Sequence, residues 1–196
     1  MIDRRAPRAI LVGLALWGCA MPALAHVGHS GAAGAWTGFS HPFSGLDHVL
    51  AMVAVGAWAA QLGRRALVIL PLAFPAMMAL GGLAGFAGVP LAYAEPGIAL
   101  SVLLLGLLVA IEARARVGLA AALVGVFAVF HGHVHAVEMP AGGGAIAYAA
   151  GFLLATVSLH AVGMAIGLLP RRSHVFVRAA GLAAAGAGVA LLATAG

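Results

Sequence analysis

The sequence predicts an all-α membrane protein, a bundle of six transmembrane helices preceded by a cleaved signal peptide. Three observations predict it. Of 196 residues, 64% are hydrophobic and 8% charged, with a mean hydropathy of +1.11, whereas a soluble domain carries about a quarter charged residues. The apolar residues are gathered into stretches long enough to cross a bilayer, which takes about 20 residues of helix. The arginines fall between those stretches in a one-sided pattern. So little charge cannot cover an ordinary water-exposed surface. Soluble enzymes and nucleic-acid-binding domains are excluded, and so is a disordered chain, which needs low hydrophobicity and high charge.

Residues 1–25 read as a signal peptide. Arg4, Arg5 and Arg8 make a positive n-region, Ala9 to Met21 an apolar h-region, and Ala23-Leu24-Ala25 a cleavage pattern. Cleavage after Ala25 leaves residues 26–42 as a histidine-containing periplasmic N-terminus and 43–196 as the six-helix domain. It also removes Cys19, the one cysteine, so that any metal is held by nitrogen, oxygen or thioether ligands. An uncleaved first helix is the competing reading. Lipoprotein processing at Cys19 is a second alternative, which Trp17 fits poorly.

The six spans lie near residues 43–62, 66–87, 96–112, 117–137, 145–168 and 177–195. Arg64-Arg65 ends the first, Gly88-Val89-Pro90 the second, Arg114 and Arg116 the third, Met139-Pro140-Ala141-Gly142 the fourth and Arg171-Arg172 the fifth. Every arginine of the mature chain, with Arg178 included, falls on one side of this arrangement. By the positive-inside rule that side is cytoplasmic. The mature N-terminus, the 88–95 and 138–144 loops and the C-terminus are then outside. The formal charge of +5 reports this orientation and implies no nucleic-acid partner; the bilayer is the partner it implies. Gly81-x3-Gly85, Gly163-x3-Gly167 and the Ala/Gly-rich stretch from Gly181 to Gly188 predict close helix contacts.

Nine histidines in so apolar a chain are the signal of function, because ionisable groups are expensive in a bilayer and mark working sites when present. Two clusters stand out. His41-Pro42-Phe43-Ser44-Gly45-Leu46-Asp47-His48 begins the first span, and Phe130-His131-Gly132-His133-Val134-His135-Ala136-Val137-Glu138 ends the fourth. Topology puts both at the periplasmic face. On a helix His131 and His135 share a face one turn apart, Glu138 continues that stripe, and His133 points elsewhere. His41 and His48 would be two turns apart, about 10 Å on a regular helix. One ion with ligands at about 2 Å cannot span that gap. Either the backbone around Pro42 leaves the helix and folds His41 back, or His41 belongs to an outer capture site.

The resulting hypothesis is a shared metal site in which Asp47, His48, His131 and His135 are direct ligands. His41, His133 and Glu138 capture the ion or support the ligands. The competing structural role, histidines that cap or cross-link helices, suits a single imidazole better than this convergence. His26 and His29 are further candidates for collecting metal, and His160, deep in the fifth span, for a relay; a mobile polar tail and a hydrogen-bonded histidine are the alternatives. Glu112 is expected to pair with Arg114 or Arg116, Glu95 to stabilise a helix N-terminus, Met52 to pack in the core, and His174 to lie idle in an inner loop. Imidazole suits Zn, Cu, Fe and Ni.

The strings His41-Pro42-x-x-Gly45-x-Asp47-His48-x3-Met52 and Phe130-His131-Gly132-x-x-His135-x-x-Glu138 resemble the paired signatures of the HupE/UreJ family, small bacterial inner-membrane proteins associated with hydrogenase or urease operons. The likeness extends over essentially the whole chain. It implies nickel uptake, with His41, Asp47, His48, His131, His135 and Glu138 as the matching positions. Nickel chaperones or hydrogenase and urease maturation proteins are the implied partners. The preference for nickel over cobalt comes from this resemblance and not from the residues. Ala136 stands where glycine is expected. The His-x5-Asp-His string is also similar to that of the nickel/cobalt transporter superfamily, with a one-residue difference in spacing.

The function expected is a non-enzymatic Ni²⁺ (or Co²⁺) permease with no prosthetic group, the metal being cargo. The chain carries no phosphate loop. A dication crossing an inside-negative potential of ~100 mV gains about 4.6 kcal/mol, enough for an inward gradient on the order of a thousandfold. Two alternatives stay open: an intramembrane zinc-dependent hydrolase, against which the lack of His-Glu-x-x-His counts, and a non-transporting periplasm-facing metal sensor or accessory protein.

Overall fold

The computed structural model describes residues 34–139 and 144–195. The signal segment, His26, His29 and the 140–143 turn lie outside the described residues. Helix is the regular structure throughout these, in seven α-helices: α1 (Ala35–Ser40), α2 (Leu46–Leu62), α3 (Ala66–Phe86), α4 (Ala94–Ala110), α5 (Val117–Glu138), α6 (Ala145–Gly167) and α7 (His174–Thr194). Short 3₁₀ turns, His41–Phe43 and Arg171–Ser173, precede α2 and α7.

Each of the six apolar stretches holds one helix, α2 to α7. By length and composition α3, α5, α6 and α7 can each cross a membrane. α4 has 17 residues and is about 26 Å long, slightly short of a hydrocarbon core of about 30 Å. α2 also has 17 residues and qualifies only when joined to α1 and its turn, from which it is bent by 84°. The first stretch is thus a broken element and not a straight span from residue 43.

The breaks have local causes. Gly63, at φ 102°, closes α2 in a conformation disfavoured for residues with a Cβ, and its N–H is bonded to the Ala59 carbonyl at 3.2 Å. At the same end of the bundle, Arg114 Nη1 donates to the Gln61 carbonyl (2.8 Å) and Arg178 Nε to the Ala110 carbonyl (2.9 Å), satisfying carbonyls that the ends of α2 and α4 leave open. Pro71 and Pro75 sit inside α3; both are missing N–H donors, which a helix flanked by neighbours tolerates in lipid.

Small residues set the packing. Gly81 abuts the Val129 backbone, Gly132 the Met78 backbone, and Gly85 the His133 carbonyl, so α3 and α5 close onto each other. Gly56 meets the His160 carbonyl and Gly163 the Val53 carbonyl, which joins α2 to α6. Gly106, Gly181 and Gly188 do the same for α4 and α7. Both GxxxG pairs and the C-terminal small-residue stretch therefore lie at helix contacts, as their sequence predicts. α1 rests on α6, where Gly151 meets the Ala35 carbonyl. Met52, Trp58, Leu70, Phe74, Leu105 and Val124 fill the core between these pairs.

Candidate metal centre

The turn before α2 builds half of the site. Ser44 bonds back to the His41 carbonyl through its N–H (2.9 Å) and its hydroxyl (2.6 Å), closing a turn that begins with Pro42. Gly45 is extended, and a Cβ there would collide with the Asp47 carboxylate and the His48 ring. α2 therefore begins at Leu46, and Asp47 and His48 occupy its first turn instead of lying ~8–9 Å inside a helix started at Pro42. The bend folds His41 back over them. His41 and His48 have ring centroids 6.4 Å apart, well under the two-turn separation of a regular helix.

The end of α5 supplies the other half. His131 and His135 share the face turned toward His48, with ring centroids 5.1 and 4.4 Å from its ring. A ligand atom from each of His48, His131 and His135 lies within 4.8 Å of the other two, and all three side chains are buried. Each ring has one nitrogen engaged and one without a partner among the described residues. His48 Nδ1 pairs with Asp47 Oδ1 at 2.6 Å, leaving Nε2. His131 Nε2 pairs with the Ser101 hydroxyl at 3.0 Å, leaving Nδ1. His135 Nδ1 pairs with His41 Nε2 at 3.1 Å, leaving Nε2. Buried polar atoms are rarely left unpaired, and three such atoms on one trio of rings could together hold a metal ion.

Ser101 fixes the chemistry of one ring. Its hydroxyl donates to the Ile98 carbonyl at 2.6 Å, so only its lone pairs face His131. His131 Nε2 must then carry the proton, and Nδ1 presents the lone pair. Asp47 Oδ1 likewise accepts from His48 Nδ1–H, and also from the His48 backbone N–H at 2.9 Å. Such partners orient metal-binding imidazoles and raise their basicity.

A second group, His41, His135 and Glu138, also brings ligand atoms within 4.8 Å of one another, nearer the surface. Beside both groups lies a cavity of about 220 Å³ whose walls include His41, Asp47, His48, Glu95 and Glu138. Its three carboxylates favour a dication. The described arginine side chains lie toward the opposite end of the helices, near the end of α2 and the start of α5.

The candidates fare differently. His41, Asp47, His48, His131, His135 and Glu138 are brought together; Asp47 touches His48 as its orienting partner. His133 is not part of the cluster: its Nε2 donates to the Val89 carbonyl at 2.7 Å and ties down the loop after α3. His160, expected to be either a relay or a hydrogen-bonded histidine, is fully buried with neither ring nitrogen paired among the described residues. Phe74 contacts it edge-on (5.3 Å) and also contacts His131 (5.7 Å). Met52 is core. Glu112 does not pair with Arg114 or Arg116 among the described residues; it pairs with His174 Nδ1 at 3.0 Å. His174 thus holds the start of α7 to the end of α4, because the turn after α6 carries it there.

Two contributors were missed. Glu95 does sit in the first turn of α4, and it also lines the cavity; an acid on the same face as both clusters was the available signal. Ser101 had a weaker one, a lone hydroxyl in an otherwise apolar stretch.

Fold and site define an all-helical membrane protein with a buried imidazole cluster flanked by carboxylates. The profile of the HupE / UreJ protein family matches residues 14–191. The chain is also 50% identical over 177 residues to the protein HupE of Rhizobium leguminosarum bv. viciae, covering 88% of this chain and 92% of that relative. No solved structure matches. The protein belongs to the HupE/UreJ family.

Proposed function

We propose that the protein is an inner-membrane permease that takes up Ni²⁺ from the periplasm and supplies hydrogenase or urease maturation. α2 to α7 cross the bilayer as six spans, with the arginine-bearing ends in the cytoplasm and the histidine cluster toward the periplasm. The acidic cavity collects the ion. His48, His131 and His135 then bind it, with Asp47 and Ser101 holding two of the rings and Asp47 supplying charge. His131 lies about 10 Å from the α5 end and His160 about 22 Å from the α6 start, so the inward path runs from the cluster past Phe74 to His160. Membrane potential drives entry, and mixed nitrogen and carboxylate ligation keeps binding weak enough for release.

The observation that carries this reading is the set of three unpaired buried nitrogens, one on each ring of a trio drawn from both sequence motifs. It is tested by uptake of radioactive nickel into proteoliposomes with an imposed inside-negative potential. Uptake should exceed that of empty liposomes and fall by tenfold or more in Asp47→Ala and His48→Ala. Nickel binding without any uptake would favour the sensor or accessory reading, and uptake unaffected by either substitution would refute the assignment.

A further inference from the structure

His135 is a member of both ligand groups, one with His48 and His131, the other with His41 and Glu138. Its two ring nitrogens have different surroundings. Its Nδ1 faces His41 Nε2 at 3.1 Å, while its Nε2 is buried and unpaired among the described residues. Its ring centroid lies 4.9 Å from that of His41 and 4.4 Å from that of His48. Phe152 lies edge-on against the ring, with centroids 4.3 Å apart.

We infer that these are two alternative stations for one dication, hinged on a single imidazole, so that the outer and inner stations are never filled at once. This rests on the reading of the protein as a nickel carrier and adds to it an order of events. A neutral imidazole has one lone pair and one N–H. With the ion at the outer station, Nδ1 of His135 is the ligand and Nε2 carries the proton. With the ion at the inner station, Nε2 is the ligand and the proton is on Nδ1, where it donates to His41 Nε2. Passage between the two moves one proton from Nε2 to Nδ1 and exchanges one nitrogen–metal bond for another. No proton is gained or lost overall.

Filling both stations would require stripping the ring of its proton and holding two dications across it in a water-poor site, where like charges repel strongly. Exclusive occupancy also answers a requirement of conduction, that an ion bind well enough to enter and not so well that it stays. A second ion drawn to Glu138 and His41 competes for the His135 ring and loosens the first.

The test uses full-length protein in detergent with Ni²⁺ alone, bound metal being counted after equilibrium dialysis, and Co²⁺ absorption as a reporter of ligand set. Wild type should bind one ion per chain. His131→Ala should still bind one, at least tenfold more weakly and with a changed Co²⁺ spectrum, because the outer station remains. His41→Ala should bind one with a spectrum close to wild type and take it up at least tenfold more slowly. Two ions per wild-type chain, with uptake intact, would overturn the shared hinge and leave the permease reading standing. Loss of all binding in His131→Ala, in protein with a normal size-exclusion profile, would remove the outer station and the inference with it. Absence of specific nickel binding in wild type would overturn both this inference and the carrier reading.

Discussion

Replacing Ser101 by alanine tests whether a hydroxyl that touches no ion controls the centre. Ser101 is fully buried, donates to the Ile98 carbonyl at 2.6 Å and accepts from His131 Nε2 at 3.0 Å. Alanine leaves Nε2–H of His131 in an apolar wall with nothing to receive it, a loss of about 1–3 kcal/mol. The ring can escape by moving its proton to Nδ1, which removes the lone pair the site needs. Loss of a partner of this kind weakens metal binding by about 10- to 100-fold, or ~1.4–2.7 kcal/mol. In proteoliposomes, nickel uptake by Ser101→Ala should drop by that factor at limiting nickel and recover substantially when nickel is raised. Ser101→Thr, which keeps the hydroxyl, should retain most of the activity. Wild-type uptake by Ser101→Ala at limiting nickel, alongside a dead His131→Ala, would refute the reasoning.

Four other substitutions probe the scaffold. Gly132→Ala drives a Cβ into the Met78 backbone and should cost about 1–3 kcal/mol, seen as a lowered thermal midpoint in detergent, whereas Gly118→Ala, in open space, should leave the midpoint unchanged or raise it. His160→Leu removes two buried, unpaired nitrogens and should keep or raise thermal stability while slowing nickel uptake by tenfold or more; unchanged uptake would show that His160 only packs. Glu112→Gln breaks a partly exposed pair with His174 and should alter stability by under about 1 kcal/mol, with uptake within twofold of wild type.

The helices were legible because hydropathy and arginine placement report the bilayer directly, and those signals survive folding. The convergence of the two motifs followed from topology alone: an odd and an even span put His48 and His135 at one end. Their ring-to-ring contacts did not follow, since they depend on the bend at Gly45, and extended backbone at a glycine leaves no periodic trace. Ser101 was out of reach for a related reason. It meets His131 only because α4 and α5 are neighbours, and which helices become neighbours is not written in either helix's own sequence. His133 illustrates the converse: its helical phase turned it away from the cluster, yet it was still expected to capture the ion or support the ligands, and the fold instead has it reach for the Val89 carbonyl.

Phe74 stands three residues after Pro71 and directly before Pro75. Proline cannot donate, so within α3 the carbonyls of Leu67 and Pro71 lose the bonds that would ordinarily close two successive turns, the second of which contains Phe74. Elsewhere the bundle is clamped by backbone-to-backbone glycine seams; here its ladder lacks two rungs one turn apart. Helix bends concentrate at prolines, so the one ring that touches both His131 and His160 among the described aromatic contacts sits on a length of α3 predisposed to bend.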